Sequence, residues 1–376
     1  MPKGKYQRIA MACQGGGALG AYHMGALKAM EEKGYSPDMI AGISIGAFSA
    51  AIIAGNHPQD RIQKLEEFWD TISWPDSPFF LNGNDQMRKI HNYWSALQGL
   101  YFGQPHFFTP RFPYPEFSLK GSPNATSYYD TAKLRETLLK FVDFDVLNSK
   151  VLGARLLLGA TRVKDGKLVF FDSDTMKIEP EHVMASGAMP PGFPGVVIDG
   201  DLYWDGACVS NTPIESIFVA EAKVPTLCFM IDLYAPNGKE PETIDDVDMK
   251  KRELAYSSRT AHNIAHVKSK QNLAKALHHL LENMPEKNKN DPIIQEIMGM
   301  ASDVNFDVVH VAYDKPDYEA SNCRYEFSKS SIRDRERHGY EDMIAVLEHS
   351  NWLKERPAHI GSTIHIYKGG KFCKAK

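Results

Sequence analysis

The sequence predicts an α/β fold built on a mainly parallel central sheet. Two short apolar runs without polar alternation, Ile9–Cys13 and Met39–Gly42, read as strands buried on both faces. A helix-like segment follows each, Gly20–Lys33 and Ile45–Ala54, and each stops at a glycine, Gly34 and Gly55. Strand–loop–helix–strand–turn–helix over the first 55 residues is the pattern of parallel strands joined by crossover helices.

Further along, residues 70–125 change character. They are rich in proline and aromatics with no clean period, and seven of the seventeen residues from Tyr101 to Phe117 are aromatic. An irregular insertion that packs its own rings is one reading; an apolar cap over a greasy site is the other. Residues 151–172 read as a hairpin about the turn Lys164-Asp165-Gly166. Leu202–Trp204, Pro225–Tyr234 and Val304–Tyr313 read as strands. Asp248–Asn283 reads as helix on the spacing of Leu273, Ala276, Leu277, Leu280 and Leu281.

Composition bounds the function. The hydrophobic fraction of 43% and charged fraction of 24% support a sizeable core, and a net charge of −4 argues against a nucleic-acid partner. The five cysteines are scattered and form no C-x-x-C pair, which disfavours a disulfide framework or structural zinc and suits a reducing compartment. The N-terminal apolar run is too short for a signal sequence, and the longest uncharged run, Ala41–Gly55, is too short to span a bilayer. The expectation is a cytoplasmic protein, with peripheral contact to a lipid surface left open. The basic tail KGGKFCKAK reads as a solvated end before it reads as an anionic-surface contact.

Two motifs carry chemistry. Gly15, Gly17 and Gly20 satisfy G-x-G-x-x-G between a strand and a helix, the setting of a dinucleotide loop. That reading needs an acid at the carboxyl end of the second strand, whereas the nearby Asp38 precedes that strand. What ends it is Gly42-Ile43-Ser44-Ile45-Gly46, a G-x-S-x-G sequence between strand and helix. A serine at such a turn is held in a strained conformation with its hydroxyl exposed, while the flanking glycines permit close approach of neighbouring chain. The glycine loop then finds a natural role, because Gly15, Gly16 and Gly17 lack Cβ atoms and can crowd their amides around an oxyanion.

With GGGALG, GISIG, ASGAMPPGFPGV and DGACVSNTP in this order, residues 9 to about 215 resemble the patatin-like phospholipase family. The stretch YEFSKSSIRDRERHGYEDM resembles a C-terminal extension found in one subgroup. The resemblance implies a three-layer α/β/α sandwich and a Ser–Asp dyad without a catalytic histidine. Carried onto this chain, Ser44 is the nucleophile, Asp205 the base, Gly15, Gly16 and Gly17 the oxyanion loop, with Gly42, Gly46 and Gly206 supporting the motifs. Leu19 departs from the family pattern, which often has a basic residue there.

Asp199 and Asp201 compete with Asp205 and read as turn residues, since Asp205 alone is followed at the right distance by Asn211-x-Pro213. His310, the candidate for a conventional triad, falls mid-strand. The expected function is hydrolysis of lipid carboxylic esters through an acyl-enzyme, with a lipid or acyl-ester partner and no metal or organic cofactor. Acyl transfer, non-hydrolytic lipid binding and a dinucleotide-dependent oxidoreductase are the alternatives. Self-association stays open. The expected division is a catalytic domain at residues 1–235, carrying the aromatic insertion, and an extension at 236–376, helical then strand, packed on it.

Overall fold

The computed structural model describes residues 4–76, 85–220, 224–236 and 238–373. Part of the expected aromatic insertion (77–84) and the last three residues of the basic tail therefore lie outside the described residues. In chain order the main elements are β1 (Arg8–Cys13), α1 (Ala21–Glu32), β2 (Met39–Ile43), α2 (Ile45–Ala54), α3 (Arg61–Ile72), α4 (Asp85–Phe102), α5 (Ala132–Phe141), β3 (Arg155–Arg162) and β4 (Lys167–Asp172). There follow α6 (Pro180–Ser186), β5 (Val196–Ile198), β6 (Asp201–Asp205), α7 (Ile214–Ala220), β7 (Thr226–Asp232), α8 (Ile244–Glu282), α9 (Pro292–Met300), β8 (Phe306–Ala312), α10 (Lys329–His349), β9 (Ile364–Lys368) and β10 (Lys371–Cys373).

Ten strands form one sheet in the order β10-β9-β8-β7-β1-β2-β3-β6-β5, with β4 also paired to β3. The six contiguous strands β9-β8-β7-β1-β2-β3 are parallel, and β4, β5, β6 and β10 run antiparallel to their neighbours. Strand alternation divides the core into two layers. From β1, Ile9, Met11 and Cys13 enter a cluster with α1, α2, α3 and α10. Ala10 and Ala12 enter the other, with Ile214 and Ile217 of α7 and Ile264 and Val267 of α8. This is the three-layer α/β/α sandwich with a mainly parallel sheet.

Three differences from the sequence-based expectation have physical causes. Residues 85–102 form a helix whose buried face is polar or small: His91, Asn92, Ser95, Ala96 and Gly99. Tyr93, Trp94, Tyr101 and Phe102 face outward, so hydrophobic periodicity is inverted there. The long helix α8 starts earlier than Asp248, at a capping box in which Thr243 and Asp246 satisfy each other's backbone amides. Its Leu273 and Leu280 are exposed, while Thr260, Asn263, Ile264, Val267 and Gln271 are buried.

Residues beyond 235 do not merely sit on the sheet. β8 pairs along its length with β7, and β9 pairs with β8, so the sheet continues through them. Helix α10 crosses α1 at two glycines. A Cβ at Gly25 would run into the Glu336 carbonyl, and one at Gly339 into the Tyr22 carbonyl. Across the same contact Tyr22 Oη donates to Asp342 (2.8 Å).

That contact leaves no room for a methyl group. Gly339→Ala is expected to lower stability by about 1–3 kcal/mol through overpacking. Urea unfolding checks this; an unchanged midpoint would mean that the helices can separate freely.

Candidate active site

Strand β3 brings the two halves of the site together. Its residues Arg155 to Gly159 pair in register with Met39 to Ile43 of β2. The next residue, Ala160, pairs with Asp205 at the end of β6. One strand therefore receives β2 and then, in direct continuation, the antiparallel β6. Ser44 leaves β2 where Asp205 ends β6. Gly206 completes this junction: a Cβ there would stand 2.5 Å from the Gly159 carbonyl and 3.1 Å from Ile43 Cγ2.

Ser44 has φ 57° and ψ −130°, a conformation L-residues rarely adopt, directly before the first residue of α2. Its backbone N–H donates to the carbonyl (3.1 Å) and hydroxyl (3.2 Å) of Ser186, and the Ser186 hydroxyl donates to Gly159 O (2.6 Å). A Cβ at Gly42 would collide with the Gly46 backbone, and one at Gly46 with the Cys13 carbonyl. The G-x-S-x-G spacing is thus a packing requirement between β1, β2 and the first turn of α2.

Asp205 is fully buried. Its Oδ1 accepts from Ala207 N–H (2.8 Å), its backbone N–H donates to Ala188 O (3.0 Å), and its carbonyl accepts from Thr161 Oγ1 (3.0 Å). Oδ2 has no partner in strict hydrogen-bond geometry among the described residues. Burial pushes the carboxyl up to about 7, against the Ser44 hydroxyl and the Ala207 amide, which favour the ionised form. Asp199 has a positive φ of 50° beside Gly200, and Asp201 pairs with Lys164 (2.6 Å). Asp199 belongs to the turn between β5 and β6, whereas Asp201, expected as a turn residue, is the first residue of β6 and pairs with Ile198; neither lines the cavity.

The glycine loop lies over Ser44. A Cβ on Gly15 would approach Ser44 Cβ to 2.8 Å and collide with Asn211 Oδ1. Asn211 Nδ2 donates to Gly15 O (2.9 Å). The preceding Gln14, fully buried, accepts from Leu233 N–H (2.7 Å) and donates to Thr212 Oγ1 (3.1 Å), tying the loop to the end of β7 and to the segment after Asp205. Asp38 does not approach the loop; its Oδ1 accepts from Ile9 N–H (3.1 Å) at the opposite end of β1.

Gly15, Gly16, Gly17 and Ser44 open onto a cavity of about 450 Å³. Its walls are mainly apolar, with Phe48, Phe107, Phe108 and Phe193 packed edge to face or tilted at 5.0–6.0 Å between centroids. Phe107 and Phe108 are buried in the wall, whereas Tyr101, Phe102, Phe112 and Phe117 are exposed. Asp205 stands behind Ser44 and not in the wall. Trp204 does not line the cavity either, and no histidine does among the described residues. His310 is mid-strand in β8 and pairs with Asp232 (2.9 Å).

Sequence reasoning missed several wall and support residues. Tyr256, Arg324, Tyr325 and Phe327 line the cavity from beyond residue 235. Ser186 and Gln14 fix the elbow and the loop by polar contacts that no spacing pattern encodes, and the hydrogen bond from Asn211 to Gly15 O is not foreseen either.

Residues 11–218, more than half of the chain, match the family described as Patatin-like phospholipase. Residues 254–359 match a second family, described as Patatin phospholipase. The chain is similar to mouse patatin-like phospholipase domain-containing protein 6, with 41% identity over 61 residues covering 16% of this chain and 4% of that protein. It is similar to lysophospholipase NTE1 of Eremothecium gossypii, with 47% identity over 102 residues covering 24% of this chain and 6% of that protein. The matched stretches are thus a small part of both relatives. Among solved structures, VipD from Legionella pneumophila aligns with 92% of this chain and 67% of its own, at 15% identity and a TM-score of 0.38.

The buried carboxylate makes a stability prediction. Above about pH 7 Asp205 is ionised in folded and unfolded chains alike, and its burial costs on the order of 2–4 kcal/mol. As pH falls from 7 towards 4, the folded form takes up its proton before the unfolded form does, and the penalty disappears. Asp205→Asn is therefore expected to melt above the wild type at pH 8, with the gap shrinking by about pH 4.5. Thermal melts at both values check this; an equal gap at both would contradict it.

Proposed function

The chain belongs to the patatin-like phospholipase family, and from that premise we propose that it hydrolyses carboxylic esters of lipids with Ser44 as nucleophile and Asp205 as general base. The observation that supports this reading is the register of β3, whose neighbours β2 and β6 end at the half-buried Ser44 and the buried Asp205. Ser44 Oγ attacks the acyl carbonyl as its proton passes to Asp205 Oδ2. The resulting oxyanion is met by the amides of Gly15, Gly16 and Gly17, and the N-terminus of α2 points its dipole at the same centre. Collapse expels the alcohol with the proton from Asp205 and leaves an acyl-enzyme. Water, deprotonated by the same carboxylate, then releases the fatty acid.

A carboxylate near pKa 4 is a weak base for this step, and one raised to about 7 is better matched to neutral pH. The dry setting is therefore part of the chemistry. With Asp205 as base, kcat/KM for an uncharged ester rises with pH through about 7 as one group loses a proton. Ser44→Ala abolishes fluorophosphonate labelling, detected as intact mass, and both Ser44→Ala and Asp205→Asn lower turnover by at least about 10²-fold. Labelling or turnover that survives in Ser44→Ala sinks the proposal.

The exposed aromatics suggest how such a substrate is reached. Phe112 is 89% exposed, Phe117 81% and Leu119 84%, on the chain between the cavity-wall residues Phe108 and Tyr128. Among the described residues no helix is long and apolar enough to cross a membrane. We propose that these side chains rest in the interface of a lipid surface, where aromatic rings are favoured. Phe112→Ser with Phe117→Ser is expected to weaken co-sedimentation with vesicles several-fold relative to turnover of a water-soluble ester. Equal vesicle binding would remove this surface from the proposal.

A further inference from the structure

Arg324 is the one cation among the described residues lining the catalytic cavity. The glycine loop brings none, since Leu19 is fully buried in it. The short 3₁₀ turn Cys323–Tyr325 is packed directly on that loop: a Cβ at Gly17, whose φ is +59°, would strike the Arg324 carbonyl. Only glycine combines that positive φ with that clearance.

The guanidinium of Arg324 has no carboxylate within ion-pairing distance among the described residues, and its Nε is buried without a hydrogen-bond partner. Its nearest acids in sequence are already engaged. Glu319 receives Arg335 through two hydrogen bonds (2.8 and 2.9 Å), and Glu326 pairs with Arg335 at 3.5 Å. Arg335 also donates to the carbonyls of Cys323 (3.2 Å) and Glu326 (2.8 Å), so it grips the chain on both sides of Arg324. The geometric neighbour of Arg324 is aromatic: its guanidinium lies over the Tyr325 ring, 4.4 Å from the centroid, and Tyr234 and Tyr256 line the same cavity. Arg324 and Tyr256 line the same cavity as Ser44 and the glycine loop.

A half-buried cation on the wall of a mainly apolar cavity, with no ion-pair partner among the described residues, is a receptor for an anion. We propose that Arg324 selects acyl esters carrying a phosphate group close to the scissile ester, by pairing with that phosphate while the acyl chain lies along the phenylalanine wall. The inference rests on the hydrolase reading above and deepens it. Specificity for the head group would then reside in the second matched region, residues 254–359, while the nucleophile and base reside in the first. Arg335 is a positioning residue in this scheme, since it acts on the substrate only through Arg324.

The test compares two esters with the same acyl chain, a monoacylglycerol and its phosphate monoester, in detergent micelles. Wild type, Arg324→Gln and Arg324→Lys are assayed for kcat/KM. The expected result is that Arg324→Gln lowers the ratio of phosphorylated to neutral substrate by roughly 10- to 100-fold, the loss of one charge-assisted pair. Arg324→Lys restores part of that ratio. Fluorophosphonate labelling of Ser44 in each variant reports whether the cavity is intact. Inorganic phosphate is titrated as a competitor: inhibition that weakens in Arg324→Gln shows that the anion alone suffices, and inhibition absent throughout shows that the tethered lipid phosphate is what binds. A fall in both substrates by the same factor, with labelling retained, would overturn the proposal and leave Arg324 as a wall residue stacked on Tyr325. Absence of labelling and of hydrolysis of either ester in the wild type would instead overturn the hydrolase reading itself.

Discussion

The register of β3 is the constraint on which the site depends. A strand that pairs with β2 up to Gly159 and with β6 from Ala160 onward leaves no freedom in the relative placement of Ser44 and Asp205. A one-residue slip in either pairing would turn Ala160 or Gly159 to the opposite face and carry one partner away from the other. The small residues at the junction follow from this. Gly159, Gly206 and Ile43 meet where three chain segments converge, and Ser186 uses the remaining polar groups by bridging Gly159 O to Ser44 N–H. The strain at Ser44 is sustained because its amide is held by Ser186 and its carbonyl by the first turn of α2.

The same junction sets the electrostatics. A buried carboxylate with one backbone donor, the Ser44 hydroxyl nearby and no cation paired to it among the described residues is poorly solvated, so its proton affinity rises. Elsewhere the protein neutralises its buried acids. Asp232 is held low, despite burial, by His310 and by Lys315; Glu253 pairs with Lys250 and Lys315; Glu319 and Glu326 share Arg335. Asp205 is treated differently from these, and a fully buried carboxyl left without a cation supports the proposal that it serves proton transfer.

Much of this was legible in the sequence because it rests on short-range patterns. Two buried parallel strands ending in glycine-rich turns are visible as uninterrupted apolar runs, and Gly42-x-Ser44-x-Gly46 is visible because steric crowding leaves few residue choices. Asp205 is singled out from three aspartates by its spacing to Asn211-x-Pro213; of the other two, Asp199 is in the turn and Asp201 opens β6. What stayed hidden is what depends on long-range pairing. No local pattern says that β8 will add to β7, or that Arg324 will arrive against Gly17 from the far end of the chain. Helix α4 was hidden for another reason: its buried stripe of His91, Asn92, Ser95, Ala96 and Gly99 is polar and small, so the periodicity that marks most helices points the wrong way.

The question raised by the glycine loop, phosphate cradle or oxyanion loop, is best argued from what stands around it. A dinucleotide loop needs an acid at the tip of the next strand and open space before the helix. Here the tip of β2 carries Ser44, Asp38 is committed to the far end of β1, and Gly15 is pressed against Ser44 and Asn211. The loop has no room for a pyrophosphate over its first glycine, and the same crowding sets Gly15 against Ser44. Gln14 reinforces that geometry by anchoring the loop to Leu233 on one side and Thr212 on the other. A loop fixed at both ends over a strained serine supports the proposed oxyanion role, because rigid dipoles do not have to turn when a charge forms beside them.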